Sequence, residues 1–288
     1  MSIKLKGNFA LLGAVIIWSG WMIQTRYLAL GSLAPFDLAA LRFSFAAAFL
    51  LPVAIKKGLV FTNGKFWQGL ALSACLGVPY MLIVATGMKF APASHGASII
   101  NGAMVMTSVL LSYYLNREKP SIKRIVGISI IFLGLALLII YKVSSFNRGH
   151  FLFLAGGFMW GLYSFLIKKW RVDPLHATAI VGIYSAIIYI PIYLVFLKTD
   201  QTLVSSMLLA HGIYQGGFAS CIALFLFSYG VSTLGAERAS LYMPIVPVFT
   251  TILAILLLGE NPKIIEIAAI TGIVMGFLIA IIQFPKKN

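Results

Sequence analysis

The chain has 288 residues, of which 60% are hydrophobic and 10% are charged, and its mean hydropathy is +0.98. Soluble globular proteins contain roughly 45–50% apolar and about 25% charged residues, so this composition excludes an ordinary soluble domain. The net charge of +15 comes from 22 Lys and Arg against 7 Asp and Glu. In so apolar a chain we interpret this excess as a guide to membrane orientation, and we expect no nucleic-acid partner.

Ten apolar runs follow one another along the chain, separated by charged or turn-forming residues. A membrane-spanning helix needs about 20 apolar residues. Helix is expected rather than strand because a lipid-facing segment must satisfy its own backbone hydrogen bonds. The runs therefore predict an all-α integral membrane protein with ten transmembrane helices and no room for an extramembrane domain. The predicted spans are 8–27, 35–55, 67–88, 92–115, 122–141, 150–167, 175–197, 212–233, 237–258 and 264–284.

Basic residues in the loops predict the orientation of these helices. With the N-terminus inside, 15 Lys and Arg fall on the cytoplasmic side and 6 on the opposite side, and Arg42 alone remains within a span. Short loops rich in Lys and Arg stay in the cytoplasm. We therefore expect a multi-pass protein with both termini cytoplasmic and a first span that is retained rather than cleaved as a signal peptide.

The sequence also aligns with itself. A shift of 142 residues pairs Trp18 with Trp160, Trp21 with Tyr163, Ala97-Ser98 with Ala239-Ser240, Glu118 with Glu260 and Gly134 with Gly276, and a slightly different shift pairs Pro35 with Pro174 and Pro52 with Pro191. Each half then holds five helices, and because five is odd the second half must enter the membrane upside down. The pattern predicts two inverted repeats, 1–142 and 143–288, an architecture typical of transporters whose binding site lies near the midplane.

The residues from Ala239 to Phe249, which read ASLYMPIVPVF, and the later LLLGE that ends at Glu260 resemble the ninth-helix signature of the EamA-type drug/metabolite transporters. The first half carries Trp18, Pro35, Arg42 and Glu118 where that family also has them. The resemblance covers nearly the whole chain. It implies a ten-helix inner-membrane carrier of small metabolites, often an exporter of amino acids, in which helices 1 to 4 and 6 to 9 form the cavity and helices 5 and 10 pack at the periphery. One departure is Val105, which stands in the first half where the second half has Pro247.

The candidate substrate-binding residues are one buried cation and a set of aromatic side chains. They are Arg42, Trp18, Trp21, Tyr80, Trp160, Tyr163 and Tyr242. A guanidinium within a span can bind a substrate carboxylate through two hydrogen bonds, and Tyr and Trp can stack on a planar substrate. The alternatives are that Arg42 reaches the interface or pairs with Asp37, and that some of the aromatic residues form interfacial belts or ordinary packing.

Prolines and two titratable residues are further candidates. Pro244 and Pro247, and more weakly Pro79, would bend helices that line the cavity and flex during transport, because each proline removes a backbone donor; the alternative is a fixed packing kink. Asp37 and His95 are candidates for proton coupling, against a helix cap and an interfacial histidine respectively. Glu118 and Glu260, at matching helix ends, are expected to be structural caps or ties.

The predicted function is secondary transport, by alternating access, of a small organic metabolite, preferably a neutral or aromatic amino acid. The alternatives are S-adenosylmethionine or another nucleotide-like metabolite and, from other classes, a membrane-embedded enzyme or a structural protein without cargo. The four histidines show no repeated ligand spacing, so we expect no metal, no cofactor and no catalytic residue. The expected partners are the substrate and the lipid bilayer, with a monomer preferred over a weak homodimer.

Overall fold

The computed structural model describes residues 3–31, 33–60, 66–117, 120–141, 148–197, 205–234, 239 and 242–281. Every regular element among these residues is helical, which confirms the all-α fold class. The α-helices are α1 (Ile3–Leu30), α2 (Pro35–Lys57), α3 (Phe66–Leu76), α4 (Val78–Phe90), α5 (Ala93–Asn116), α6 (Ile122–Tyr141), α7 (Arg148–Trp170), α8 (Pro174–Ile192), α9 (Ser205–Gly212), α10 (Ala223–Leu234), α11 (Ile245–Leu258) and α12 (Ile264–Ile281). A first π-helical segment (Tyr193–Leu197) extends α8, and a second (Ile213–Ile222) joins α9 to α10.

Length and hydropathy mark this chain as a multi-pass membrane protein. Within the described residues, seven helical stretches are long and apolar enough to cross a bilayer, and α11 and α12 are shorter apolar helices. Large apolar side chains point away from the protein, with Ile122, Phe196 and Ile264 between 78% and 82% exposed. Such an exposed apolar surface is stable in lipid. The number of ten spans stays a prediction.

The third and the ninth predicted spans are not continuous helices. The third is broken at Gly77, and Pro79 occupies the second position of α4. In the ninth, Tyr242–Pro244 form a turn, Pro244 precedes the first residue of α11, and Pro247 lies in its first turn. A proline is tolerated there because the first backbone N–H groups of a helix have no intrahelical acceptor. Pro79, Pro244 and Pro247, which lie within the spans predicted from the sequence, therefore stand at the starts of helices.

Helices from the two halves of the chain pack against each other throughout. Helix α5 lies on α7, α2 on α8, α1 on α10 and α11, and α6 on α12. Glycines allow the closest approach: a Cβ built on Gly157 or Gly161 would lie 2.7 Å from Ile100 O or 2.8 Å from Met104 O, respectively. The small-residue pattern of α7 therefore serves packing within the chain.

The bundle has two ends, which we name after residues beside them. Helix α1 runs from the Asp173 end, where α2 and α7 also finish, to the Glu260 end, where α2, α5, α7 and α12 begin.

Residues outside the described part include Glu118, Ser240 and several basic residues counted for orientation. Those basic residues are Lys65, Lys119, Lys142, Lys198, Arg238, Lys286 and Lys287.

Candidate functional site

A cavity of about 320 Å³ lies between the two halves. Of the predicted substrate-binding residues, those that line it are Trp18, Trp21, Arg42, Tyr80, Trp160 and Tyr163. Tyr242 lies instead beside the start of α1, where its hydroxyl donates a hydrogen bond of 2.8 Å to Asn8 Oδ1. Its neighbour Met243 contributes to the wall in its place.

The cavity extends from the middle of the bundle towards the Asp173 end. Its deepest wall includes Arg42, seven residues or roughly 10 Å from the start of α2. Its opposite extreme includes Thr178, in the second turn of α8 next to Asp173. Towards the Glu260 end, the fully buried side chains of Leu38, Met88 and Ala93 fill the space instead.

Aromatic rings form one continuous side of the cavity. Trp21 and Tyr80 are stacked with centroids 6.5 Å apart, and Tyr80 meets Trp160 edge-on at 6.1 Å. Trp18 donates from Nε1 to the carbonyl of Ala219 at 3.2 Å and packs against Phe227. Because the indole N–H of Trp18 is used in this hydrogen bond, the orientation of its ring is fixed. The aromatic side of the cavity is therefore rigid as well as apolar.

Arg42 is held by a neutral network rather than by a carboxylate. Its guanidinium lies 4.9 Å from the centroid of the Trp21 ring, and Nη1 donates to Gln215 Oε1 at 3.3 Å. The same Gln215 oxygen accepts from Trp21 Nε1 at 2.7 Å, and its amide nitrogen donates to Thr25. Asp37, the alternative partner of Arg42, binds elsewhere: it accepts from Ala34 N and from the hydroxyl of Tyr193 at 2.6 Å. The positive charge of Arg42 is therefore oriented but not neutralised by Gln215.

Two polar atoms at the cavity wall are buried without a hydrogen-bond partner among the described residues. They are the hydroxyl of Tyr80 and Oδ1 of Asn101. The Asn101 amide nitrogen donates to Ala97 O, which fixes the side chain. An unsatisfied buried polar atom costs about 1–3 kcal/mol, so both atoms gain from a ligand that supplies the missing donor or acceptor.

Glu260 ties four helices together at its end of the bundle. Its carboxylate accepts from Ala93 N at 3.0 Å and from Ser94 Oγ, so it caps α5. Arg26 on α1 forms an ion pair with it at 3.3 Å and also donates to the carbonyl of Met88. This placement confirms that Glu260 is a cap and a tie. Glu118, its counterpart in the first half, lies outside the described residues.

Asp173 has the corresponding structural role at the other end. It caps α8 by accepting from His176 N at 2.8 Å, and Lys57 Nζ lies 2.7 Å from the same carboxylate oxygen. Burial raises the pKa of Asp173, but hydrogen bonds from Lys57 and His176 and the positive charge of Lys57 outweigh it, so the pKa lies below its usual value of 3.8. Asp173 is therefore ionised at neutral pH.

His95, the second candidate for coupling, is buried in the first turn of α5. Its Nδ1 lies 3.0 Å from Nε2 of His150, and its Nε2 lies 3.6 Å from a carboxylate oxygen of Glu266. Among the described residues, no group of three or more His, Cys, Asp or Glu side chains is arranged to hold a metal ion.

The sequence analysis missed Asn101, which lines the cavity, and Gln215, which is buried and accepts hydrogen bonds from Arg42 and Trp21 of the wall. Both are amide side chains inside apolar runs, and Gln215 is flanked by Gly212, Gly216 and Gly217. An amide at membrane depth is costly unless it is bonded, so their position was a usable signal. The partners of Gln215 could not be predicted, because Trp21, Thr25 and Arg42 lie on other helices that are distant in sequence.

Comparisons with known proteins identify one family and several relatives. The profile of the EamA-like transporter family matches residues 5–140 and again residues 147–282. The transporter YyaM of Bacillus subtilis, described as uncharacterized, is 25% identical over 94% of this chain and 93% of its own length, and an uncharacterized transporter of Archaeoglobus fulgidus is 26% identical over 93% and 94%. An uncharacterized transporter of Clostridium kluyveri is 27% identical over 98% of this chain and 95% of its own. One solved crystal structure superposes with a TM-score of 0.66 over 95% of this chain and 96% of its own, at 19% identity, which shows a shared fold.

Proposed function

Because the chain belongs to the EamA-like transporter family, we propose that it is a secondary transporter that moves a small organic metabolite through the central cavity by alternating access. The observation that carries this proposal is the cavity between helices of the two halves, whose described lining combines aromatic side chains with the guanidinium of Arg42. The family and the names of the relatives indicate a transporter rather than an enzyme.

The proposed mechanism uses two inverted five-helix halves, residues 1–142 and 143–288. Two observations support it. The family profile matches twice, with the same shift of 142 residues that aligns the sequence with itself. Two contacts between the halves also have a counterpart in which the helices of the two halves exchange places. Helix α5 packs on α7 as α11 packs on α1, and α4 packs on α7 as α10 packs on α1. Two similar halves can rock about a central site to expose it alternately to each side.

In this conformation, access to the cavity is proposed to come from the Asp173 end. The cavity reaches Thr178 near that end, whereas the Arg26 and Glu260 ion pair and the packed side chains close the other. Opening the Glu260 end would require that ion pair to separate. Prolines at helix starts, such as Pro79 and Pro244, leave the preceding backbone free to bend, and we assign the hinge role to these positions.

The preferred substrate is an amino acid with an apolar or aromatic side chain. Arg42 would bind its carboxylate, the aromatic side of the cavity would contact its side chain, and Asn101 Oδ1 would accept from its ammonium group. Ligand pockets commonly measure about 300–1,000 Å³, so a cavity of about 320 Å³ favours a small substrate. This size argues against the nucleotide-like alternative, S-adenosylmethionine.

The proposed location is the cell inner membrane, with both termini and the Asp173 end in the cytoplasm. The excess of Lys and Arg on that side supports this orientation. Contacts between helices of the two halves enclose the cavity within one chain, and we propose a monomer as the working unit.

Counterflow in liposomes tests this function. Purified protein is reconstituted with unlabelled phenylalanine, leucine or S-adenosylmethionine inside, and uptake of the same labelled compound is followed, with protein-free liposomes as the control. We expect accumulation of an amino acid. Exchange of S-adenosylmethionine alone would replace the preferred substrate, and the absence of exchange across a broad panel of metabolites would contradict the transport proposal.

A further inference from the structure

A cluster of titratable side chains outside the cavity joins three helices at the Glu260 end. His95, His150 and Glu266, named here the His–Glu cluster, each lie in the first turn of their helix, α5, α7 and α12 respectively. Their exposed fractions are 1%, 2% and 5%. The cavity does not include them, and the proposed binding of substrate does not use them.

The geometry of the His–Glu cluster suits a shared proton. An imidazole pair with nitrogens 3.0 Å apart needs one nitrogen to donate and the other to accept. With Glu266 ionised and both histidines neutral, the cluster carries one negative charge. One added proton gives an imidazolium between a carboxylate and a neutral imidazole, and the net charge becomes zero. Burial disfavours a net charge on the cluster and so favours its neutral, protonated form.

Other charged residues lie around the His–Glu cluster. Some of them are paired, and the rest oppose proton uptake only in part. Glu260, beside the start of α5, is paired with Arg26 of α1. The other Glu266 oxygen accepts from the backbone N–H of Lys263. Lys89 lies in the last turn of α4, and Arg148 is the first residue of α7; these cations and the N-terminal ends of the three helices favour the ionised carboxylate. Lys123 and Arg124 of α6 lie at the opposite end of the bundle. Histidine is the side chain whose ordinary pKa lies in the physiological range, so an imidazole is the expected proton acceptor of this cluster.

We propose that the His–Glu cluster is a proton-binding site that strengthens closure of the Glu260 end when it is loaded. The second part rests on the proposed alternating access. A protonated cluster replaces a neutral hydrogen bond with charge-assisted ones, which are roughly twice as strong. His95 immediately follows Ala93 and Ser94, which Glu260 binds, so the proton and the ion pair of Arg26 act on the same turn of α5. Lys263, whose backbone N–H donates to Glu266, is exposed at this end of the bundle, so the proposed route of the proton to the cluster is short.

Ring-nitrogen NMR of protein labelled with ¹⁵N-histidine in lipid nanodiscs tests proton binding without any substrate. The chain has 4 histidines, so the signals of His95 and His150 can be assigned from single variants, with His176 and His211 as internal references. We expect the two signals to titrate together. In Glu266→Gln the midpoint should fall by about one pH unit or more, because an opposite charge within 4–6 Å is lost. The matched control, Asp37→Asn, changes another buried acid at the same end and should leave the midpoint in place.

Independent titration of the two histidines, or the same midpoint in Glu266→Gln as in the unaltered protein, would overturn the proton site. If Glu266→Gln does not fold, His150→Gln gives the same test, because glutamine keeps a hydrogen bond but cannot share the proton. An unchanged His95 midpoint overturns the proposal.

The link to transport is tested by the pH profile of counterflow, which should flatten in Glu266→Gln. Identical profiles overturn the link, whereas a chain that exchanges no metabolite contradicts the transport function and leaves the NMR result standing.

Discussion

Arg42 is the residue on which the proposed substrate recognition most depends. A charge buried at membrane depth costs at least about 2.5–3.5 kcal/mol on insertion scales. Stacking on Trp21 and one hydrogen bond to Gln215 satisfy only part of the capacity of a guanidinium, which has five N–H donors. A substrate carboxylate would use the remaining donors and neutralise the charge.

Replacing Arg42 with Gln is expected to abolish most transport while the protein still folds. A hydrogen bond to a charged group contributes about 1.5–3 kcal/mol, so counterflow at subsaturating substrate should fall roughly 10- to 150-fold. Arg117→Gln, the same change at an exposed position just after the end of α5, serves as the control and should transport normally. Loss of membrane abundance in Arg42→Gln, with normal flux per molecule, would instead assign Arg42 to packing.

At the scale of single residues, the sequence alone could identify Arg42 and the aromatic residues as candidates for the cavity wall, because a charged residue and indoles within apolar runs are evident from the sequence. It could not exclude Tyr242 from the wall. Whether an aromatic residue near a helix start faces the cavity depends on where that helix begins, and α11 begins three residues after Tyr242. The roles of all these residues in binding remain predictions.

Helix packing between α5 and α7 depends on backbone contact at glycines. A Cβ built on Gly161 would lie 2.8 Å from Met104 O and 2.5 Å from Thr107 Cβ, closer than side chains tolerate. Gly272 on α12 is also helical, but a Cβ there meets nothing within 4 Å. The two glycines therefore form a matched pair for testing this interface.

Gly161→Ala should destabilise the protein by about 1–3 kcal/mol, the range for overpacking a tight interface. Gly272→Ala should be neutral or slightly stabilising, because alanine favours a helix by up to about 1 kcal/mol over glycine. Apparent unfolding temperatures of both variants in the same detergent measure the difference. Equal temperatures would show that α5 and α7 are not in close contact in the membrane.

The cap of α8 gives a prediction about pH. Asp173 has a pKa below its usual value, so its ionised form stabilises the fold at neutral pH, and this contribution is lost as pH falls below about 4, through the folded-state pKa. Asp173→Ala should cost about 0.5–2 kcal/mol at pH 7. Asp173→Asn keeps a good cap and loses only the ion pair with Lys57, so it should cost less. Thermal unfolding at pH 7 and at pH 3.5 should show the alanine variant approaching the unaltered protein at the lower pH; a constant difference would contradict the linkage.

Element boundaries show where prediction from sequence ends. Apolar runs locate helices because burial and lipid both demand them. The break at Gly77 and the π-helical geometry of Ile213–Ile222 depend on neighbours in space: Gly216 lies against the backbone of Ala46 on α2 and leaves no room for a side chain. Hydrophobic periodicity contains no information about such contacts.

At the scale of the whole molecule, the proposed orientation rests on charge asymmetry and can be measured directly. In a Gram-negative host, green fluorescent protein fused to the C-terminus should fluoresce, because it folds in the cytoplasm. Alkaline phosphatase, which needs the oxidising periplasm for its disulfides, should be inactive at the C-terminus and active when fused after Leu30. The reverse pattern would invert the proposed topology.

The two segments that match the family profile differ in the chemistry that they bring to the cavity wall. In the proposed repeat, the shift that pairs Pro35 with Pro174 places Val181 opposite Arg42, and the shift of 142 residues places Met243 opposite Asn101; all four line the cavity. A symmetric assembly of two identical chains would bring two arginines into one small cavity, where like charges repel. Joining the halves in one chain lets each wall evolve separately, so a single cation can face an apolar surface and the site can distinguish the two ends of an asymmetric cargo.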